Sequence, residues 1–222
     1  HTHMDQTTTA EAEAEVAQLV SELIAIDSSN FGNDEGPGEA AAADYVQQRL
    51  LEVGLESERF STTSDRRQGV YLRIPGKNPE RKALLLHGHL DVVPAPEPDW
   101  VHPAFSGVID DAGMLWGRGA VDMKDMDGMM LAVIRQWARA GVMPDRDIVV
   151  LWLPDEEAGG THGSGWLVDN RKDIFRGVSD AIGEVGGFSV TLRDDLRMYP
   201  IQTAEKGIAW LRLIAEGTAG HG

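Results

Sequence analysis

The chain contains no cysteine among its 222 residues. A disulfide framework and a thiolate metal site are therefore excluded. Positive charge is also scarce: 20 lysine and arginine residues stand against 36 aspartate and glutamate residues, which gives a net charge of −16. This balance argues against nucleic acid and anionic membranes as partners. Hydrophobic runs are short, and none approaches the roughly 20 apolar residues of a membrane-spanning helix.

The bulk composition is typical of a globular protein, with 42% hydrophobic and 25% charged residues. The length suits one sizeable domain, or one domain and part of another. Residues 1–9 are interpreted as a tag remnant and a disordered start, because His1-Thr-His-Met4 resembles the end of an expression tag. The acidic segment that follows lacks the pattern of a signal peptide, so a cytoplasmic location is expected.

Alternating helical and strand-like patterns predict an α/β fold. Apolar residues at helical spacing predict helices over residues 10–27 and 122–140, and another helix that begins near Pro37. Short apolar runs bounded by turn residues predict strands at 70–74, 83–87, 114–116, 148–153 and 181–185. The wholly apolar run 148–153 indicates a buried central strand. We expect a mostly parallel sheet flanked by helices over residues 10–187.

Beyond residue 187 the pattern changes. Strand-like segments at 189–193, 198–203 and 208–215 predict a second, α+β unit over residues 188–222. The chain ends within the motif-like segment Gly220-His-Gly222. We therefore expect this second unit to be truncated.

Three short runs carry side chains that can bind metal or move protons. They contain His89 with Asp91, then Asp122, then the adjacent pair Glu156 and Glu157. Each run follows a predicted strand or opens a predicted helix, and loops at strand ends are where open α/β sheets place their chemistry. Imidazole with several carboxylates and no thiolate is a ligand set for zinc or a similar divalent ion. The spacing therefore predicts a metal site.

Each run taken alone also has a structural explanation. His89 and Asp91 could form an ordinary surface pair, and Asp122 could cap its helix. The two adjacent glutamates could simply lie in an acidic loop. Glu184 ends another predicted strand, where a lone buried carboxylate is costly unless it is paired or bound to metal. All four sites fall at strand ends or helix starts of one α/β unit, and this coincidence favours a common site.

The runs His87–Asp91, Gly117–Asp125 and Asp155–Gly160 resemble the signatures of a known hydrolase family. It is the dinuclear zinc peptidase and amidohydrolase family of aminoacylase, acetylornithine deacetylase, succinyl-diaminopimelate desuccinylase, carnosinase and glutamate carboxypeptidase. The likeness extends over residues 10–222 and implies a zinc-exopeptidase-like fold with an inserted lid and dimerisation domain. It also implies a homodimer that hydrolyses an amide bond in a dipeptide or an N-acyl amino acid.

The resemblance assigns roles to individual residues. It implies two divalent metal ions, zinc or else manganese or cobalt, with these ligands: His89, Asp122, Glu157 and Glu184. By the same resemblance Asp122 bridges both ions, Asp91 orients His89, and Glu156 is the general base that takes a proton from water. His221 resembles the histidine of the family's Gly-His-Gly-Ser lid motif, which implies that it helps to stabilise the oxyanion of the substrate.

The family pattern includes residues that these 222 do not contain. By the resemblance, a last metal-ligating histidine and the residues that grip the substrate carboxylate belong to a later part of the catalytic domain. Two alternatives therefore stay open at this point. The protein could be an N-acyl amino acid deacylase rather than a peptidase, or the chain could be an inactive fragment that lacks the last metal ligand.

Overall fold

The computed structural model describes residues 6–184, 189–201, 203–204, 206–207, 209, 211–218 and 220. The chain divides into two compact units, residues 1–184 and 185–222. The first unit contains α1 (Gln6–Ile24), α2 (Ala40–Leu51), β1 (Glu58–Ser61), β2 (Gln68–Ile74), β3 (Ala83–His89), a 3-10 turn (Glu97–Asp99), α3 (Lys124–Ala140), β4 (Ile148–Leu153), α4 (Ser164–Asn170) and β5 (Val178–Ile182). The second contains β6 (Val190–Arg193) and β7 (Leu196–Met198), which pair antiparallel. Within the described residues, no helix has the length and apolarity to cross a membrane.

The first unit is built on a five-stranded sheet with the order β1-β2-β4-β3-β5. β3 pairs in parallel with both β4 and β5, whereas β2 is antiparallel to both of its neighbours. β2 alone therefore runs against the other four strands, and the predicted mostly parallel α/β sheet with flanking helices is confirmed. β1 was not predicted from the sequence, because Phe60 is the only apolar residue in that four-residue strand.

β4 is the buried centre of the sheet, and all six of its residues are buried. The three alternate residues from Ile148 to Trp152 enter a core shared with α1, α2 and α3. The other three enter a second core, which includes Leu167 of α4. A strand covered by helices on both faces has no solvent side, which is why its sequence is wholly apolar. The prediction of a buried central strand is confirmed.

The helix boundaries differ from the predicted ones in detail. α1 takes in residues 6–9, which the sequence analysis assigned to the start segment. α2 begins at Ala40 rather than near Pro37, because Gly36 and Gly38 have φ angles of +106° and +76°. These angles lie outside the right-handed helical region, so the helix cannot include the two glycines.

The predicted strand at 114–116 is wrong. Leu115 makes only an isolated bridge to Ile109. The Asp110 carboxylate accepts hydrogen bonds from the Met114 backbone N–H and the Trp116 indole N–H. The segment thus closes a side-chain-capped turn instead of pairing with the sheet.

In the second unit, β6 confirms the strand predicted at 189–193. Of the strand predicted at 198–203, the described residues after the first are not in a strand, because β7 ends at Met198. The described residues of 208–215 are not in a strand either, and they are exposed. Apolar residues such as Leu211 and Leu213 suggested a strand, but a strand also needs a pairing partner for its backbone groups.

Candidate metal centre

The carboxyl ends of three neighbouring strands meet at one edge of the sheet. β3, β4 and β5 run in the same direction, and His89 is the last residue of β3. Glu156 and Glu157 follow the end of β4, and Glu184 follows the end of β5. The parallel topology thus brings together residues that are far apart in the sequence.

Asp122 approaches the same place from the loop before α3. The helix begins at Lys124, and the residue at its cap position is Met123, which makes no side-chain cap bond. The Asp122–Met123 peptide bond is cis. Asp122 does not cap the helix, so that structural explanation is wrong. Its Oδ1 atom lies 3.1 Å from His89 Nε2 instead.

His89 Nε2 lies among the gathered carboxylates. It is 3.1 Å from Asp122 Oδ1, 3.5 Å from Glu156 Oε2 and 3.6 Å from Glu184 Oε2. Two atoms that each lie about 2.1 Å from a tetrahedral ion are about 3.4 Å apart. Ligand atoms within 4.8 Å of one another form two groups, His89 with Glu156 and Glu157, and His89 with Asp122 and Glu184. The separations therefore fit donor atoms arranged around cations.

Glu157 gives a second indication of a cation. Its Oε1 atom is buried and has no hydrogen-bond partner among the described residues. Burial, together with the negative charge of Asp122, raises the pKa of Glu157 to about 7. A buried carboxylate oxygen without a donor is costly, and a divalent ion would satisfy it. The donor set at this edge of the sheet therefore fits divalent metal.

The electrostatics show an excess of negative charge. Burial and the hydrogen bond with Asp122 raise the pKa of Glu184 to about 7, and burial also raises the pKa of Glu156. Burial disfavours a charged His89, but its hydrogen bond with Asp91 and the nearby carboxylates raise its pKa to about 10. A divalent cation would offset this field, and its binding would release protons.

Asp91 supports both the histidine and the glutamate pair. Its side chain is fully buried. Its backbone carbonyl lies 2.9 Å from His89 Nδ1, and its Oδ1 lies 3.4 Å from the same nitrogen. The Asp91 carboxylate also accepts the backbone N–H groups of Glu156 and Glu157, both at 3.0 Å. Asp91 was expected to orient the His89 imidazole. It also bonds the backbone of the glutamate pair.

Several buried polar residues near the site were not predicted from the sequence. Asn30, Lys124 and Asp127 are all buried. The hydrogen-bond partners of Asn30 and Lys124 include residues 61 to 125 positions away, so no local pattern reveals them. The burial of Asp127 could have been predicted from helical spacing. It stands four and seven residues before the buried Leu131 and Ile134, on the same face of α3.

His221 lies outside the described residues. Its expected contribution to oxyanion stabilisation therefore remains a prediction.

Comparison with known proteins agrees with the geometry. Peptidase family M20/M25/M40 matches residues 85–215, more than half of the chain. The chain belongs to this peptidase family. The matched region of the M20 chain includes every candidate ligand from His89 to Glu184. The family resemblance drawn from the three sequence runs is confirmed.

Individual relatives point the same way. Aminoacylase-1 of Dictyostelium discoideum is 33% identical over 186 residues, and aminoacylase-1 of Sus scrofa is 30% identical over 188 residues. Each alignment covers 84% of this chain and 44% of the relative. The M20 chain thus spans less than half the length of these curated relatives.

Solved structures share the fold. Human carnosine dipeptidase 1 matches with a TM-score of 0.66 at 20% identity, over 83% of this chain and 41% of that one. The di-peptidase Dug1p from Saccharomyces cerevisiae matches with a TM-score of 0.66 at 18% identity, also over 83% of this chain and 41% of that one. The M20 chain therefore shares its α/β architecture with these two dipeptidases.

Proposed function

We propose that the protein containing this chain is a metal-dependent hydrolase that cleaves an amide bond in a dipeptide or an N-acyl amino acid. One observation carries the proposal: three carboxylate oxygens from separate segments lie 3.1–3.6 Å from His89 Nε2. Similarity to aminoacylase-1 and to carnosine dipeptidase 1 supports the two substrate classes. The alternative of an inactive fragment is not favoured.

Two divalent ions would suit the donor set, with zinc as the first choice. His89, Asp122 and Glu184 would hold one ion, and Glu157 would hold the other, with Asp122 shared between them. When bound, such ions polarise the substrate carbonyl and activate water. Manganese or cobalt could replace zinc, because carboxylate-rich sites accept all three.

Glu156 is the candidate general base. Its side chain is 52% exposed and therefore open to water, and its Oε2 lies 3.5 Å from His89 Nε2. Burial of the remaining surface raises its pKa, which makes the carboxylate a better proton acceptor. Glu156 would take a proton from the attacking water and deliver it to the amine nitrogen as the C–N bond breaks.

Further features of the complete enzyme follow from the family. We propose a cytoplasmic homodimer that pairs through its lid domain, in which His221 helps to stabilise the oxyanion. The net charge of −16 opposes nucleic acid or an anionic membrane as a partner. A panel of dipeptides and N-acyl amino acids, assayed with zinc, manganese or cobalt, would separate peptidase from deacylase activity.

Glu156→Gln in the complete enzyme tests the proposed mechanism. We expect kcat to fall by about 10²–10⁴, the usual contribution of a general base, while the metal content measured by elemental analysis stays at the wild-type value. The reason is that the amide keeps the shape of the side chain but cannot accept the proton.

Glu80→Gln provides the matched control, since Glu80 is exposed on a turn away from the sheet edge. It should leave kcat unchanged. Wild-type turnover by Glu156→Gln on the best substrate of the panel would refute the assignment of Glu156 as the base.

A further inference from the structure

A buried polar network connects the loop after α1 to the glutamate pair. Its central residue is Asn30, which is 5% exposed. Asn30 Nδ2 donates to Asp91 Oδ2 at 2.9 Å and to Asp155 Oδ1 at 3.0 Å. Asn30 Oδ1 accepts from Arg67 Nη2 at 3.1 Å and from the Gly32 backbone N–H at 3.0 Å. Both donor hydrogens and both acceptor sites of the amide are therefore used.

The partners determine the orientation of the Asn30 amide. Ionised carboxylates only accept hydrogen bonds, and a guanidinium only donates them. A reversed amide would point its oxygen at Asp91 and Asp155 and its NH₂ group at Arg67. Each of these contacts would then be repulsive. The network thus requires an amide at residue 30. An aspartate of the same shape would still accept from Arg67 and Gly32, but its contacts with Asp91 and Asp155 would become repulsive.

Both carboxylates bonded by this amide act on the loop that carries the glutamates. Asp91 accepts the N–H groups of Glu156 and Glu157 at 3.0 Å. Asp155 directly precedes them and has a φ of +65°, a left-handed conformation that is costly for a residue other than glycine. Asp155 Oδ2 accepts the His162 N–H at 2.8 Å. Side-chain hydrogen bonds therefore hold the backbone at the point where the loop leaves β4.

Arg67 supplies the positive charge of the network. It is 1% exposed. Its Nη1 donates to Glu39 Oε1 at 2.6 Å, and its Nε donates to Asp34 Oδ1 at 3.1 Å and lies 3.9 Å from Asp155 Oδ1. Without this cation the buried carboxylates would repel one another. Asn30 lies between Arg67 and the two carboxylates that contact the glutamate loop.

We propose that Asn30, supported by Arg67, is a positioning residue for the general base Glu156 and for Glu157, one of the four candidate metal ligands. It holds Asp91 and Asp155, and these in turn hold the backbone of Glu156 and Glu157. The effect on turnover rests on the function proposed above, whereas the effect on metal binding does not.

The network also predicts which metal is affected. Asn30 donates to Asp91 Oδ2, whereas His89 Nδ1 lies 2.9 Å from the Asp91 backbone carbonyl and 3.4 Å from Asp91 Oδ1. A change at Asn30 therefore leaves the shorter, backbone contact with His89 in place. The ion at Glu157 should bind more weakly, and the ion at His89 should keep its affinity.

Asn30→Asp in the complete enzyme tests this inference. Zinc titrated into the metal-free enzyme by calorimetry should show one site weakened at least tenfold and the other within threefold of wild type. In the visible spectrum of the Co²⁺-loaded enzyme, the absorption of one bound ion should change, and that of the other should stay as in wild type. In steady-state assays kcat should fall about 100-fold, the cost of displacing a catalytic group by about 1 Å, with little change in KM.

Gln136→Glu is the matched control. It makes the same amide-to-acid change at another buried residue, twelve residues along α3 from Lys124 and hence about 18 Å away along the helix. This variant should lose stability but keep both zinc affinities and kcat.

Two results would overturn the inference. One is a folded Asn30→Asp enzyme with both zinc affinities and kcat within threefold of wild type. The other is equal weakening of both sites, as a merely structural role would produce. If Asn30→Asp does not fold, Asn30→Ala decides by the same criteria, because it removes the donors without adding a charge. If the wild type hydrolyses nothing in the panel, the proposed function fails, but the zinc titration still decides the role of Asn30.

Discussion

Lys124 offers a quantitative test of how the site is attached to the rest of the fold. Its side chain is fully buried, at the start of α3 and two residues after Asp122. Its Nζ donates to the backbone carbonyls of Leu23 at 2.8 Å and Ile26 at 2.6 Å. Leu23 belongs to the last turn of α1, whose final carbonyls lack partners within the helix, and Ile26 lies two residues beyond the helix end. Lys124 thus joins the end of α1 to the start of α3.

The perturbation is Lys124→Met, which keeps most of the side-chain volume and removes the ammonium group. The Leu23 carbonyl keeps the Ile26 backbone N–H as a donor and loses one hydrogen bond, at about 1 kcal/mol, whereas the Ile26 carbonyl loses the donor that Lys124 supplies, at about 1–3 kcal/mol. Part of this loss is offset, because burial disfavours the charged lysine. We therefore expect a decrease of about 1–3 kcal/mol in the free energy of unfolding, a large share of the 5–15 kcal/mol typical of a domain.

Urea unfolding followed by circular dichroism measures the change in the complete protein. Lys77→Met is the control, because Lys77 is exposed on a turn, and its unfolding free energy should stay within about 0.5 kcal/mol of wild type. A decrease below about 1 kcal/mol for Lys124→Met, or an increase, would refute the reasoning. Either result would mean that the Ile26 carbonyl finds another partner once the ammonium is gone.

Two further predictions concern other parts of the first unit. A Cβ added at Gly163 would lie 1.9 Å from the Pro154 carbonyl oxygen, so Gly163→Ala should displace the loop that carries Glu156. Gly163→Ala should lower the free energy of unfolding, measured in urea, by about 1–3 kcal/mol and should weaken zinc binding, measured by calorimetry, at least tenfold. Gly217 has open space around it, so Gly217→Ala should change neither quantity. Burial tends to raise the pKa of Glu15, but hydrogen bonds from Arg135 and Arg139 lower it below its ordinary 4.5. The resulting stabilisation is present above pH 4.5 and is lost as the pH falls through the folded-state pKa of Glu15. Between pH 7 and pH 3, the free energy of unfolding should therefore decrease more in wild type than in Glu15→Gln. Equal decreases in the two proteins would contradict this prediction.

The elements predicted correctly from the sequence are those with a buried face along their whole length. The run 148–153 is apolar because both faces of β4 are covered, and the buried side of α1 repeats at helical spacing because one stripe of the helix faces the core. Where a boundary depends on backbone conformation, prediction was less accurate. α2 begins after Gly38, and 114–116 bonds only to the nearby segment 108–110, because positive φ angles and a side-chain acceptor outweigh the apolar pattern.

The residue types of the candidate site could also be predicted, because open α/β sheets bind their ligands at the carboxyl ends of strands, where the histidine and the carboxylates stand. Their convergence needed the tertiary structure, since only the parallel pairing of β3 with β4 and β5 places Glu156, Glu157 and Glu184 at the same edge as His89. The supporting network needed it even more. Asn30 is an ordinary loop residue in the sequence, and its role arises from hydrogen bonds to residues 61 and 125 positions away. Local patterns record which face of an element is buried, whereas a hydrogen bond between distant segments exists only once the chain has folded.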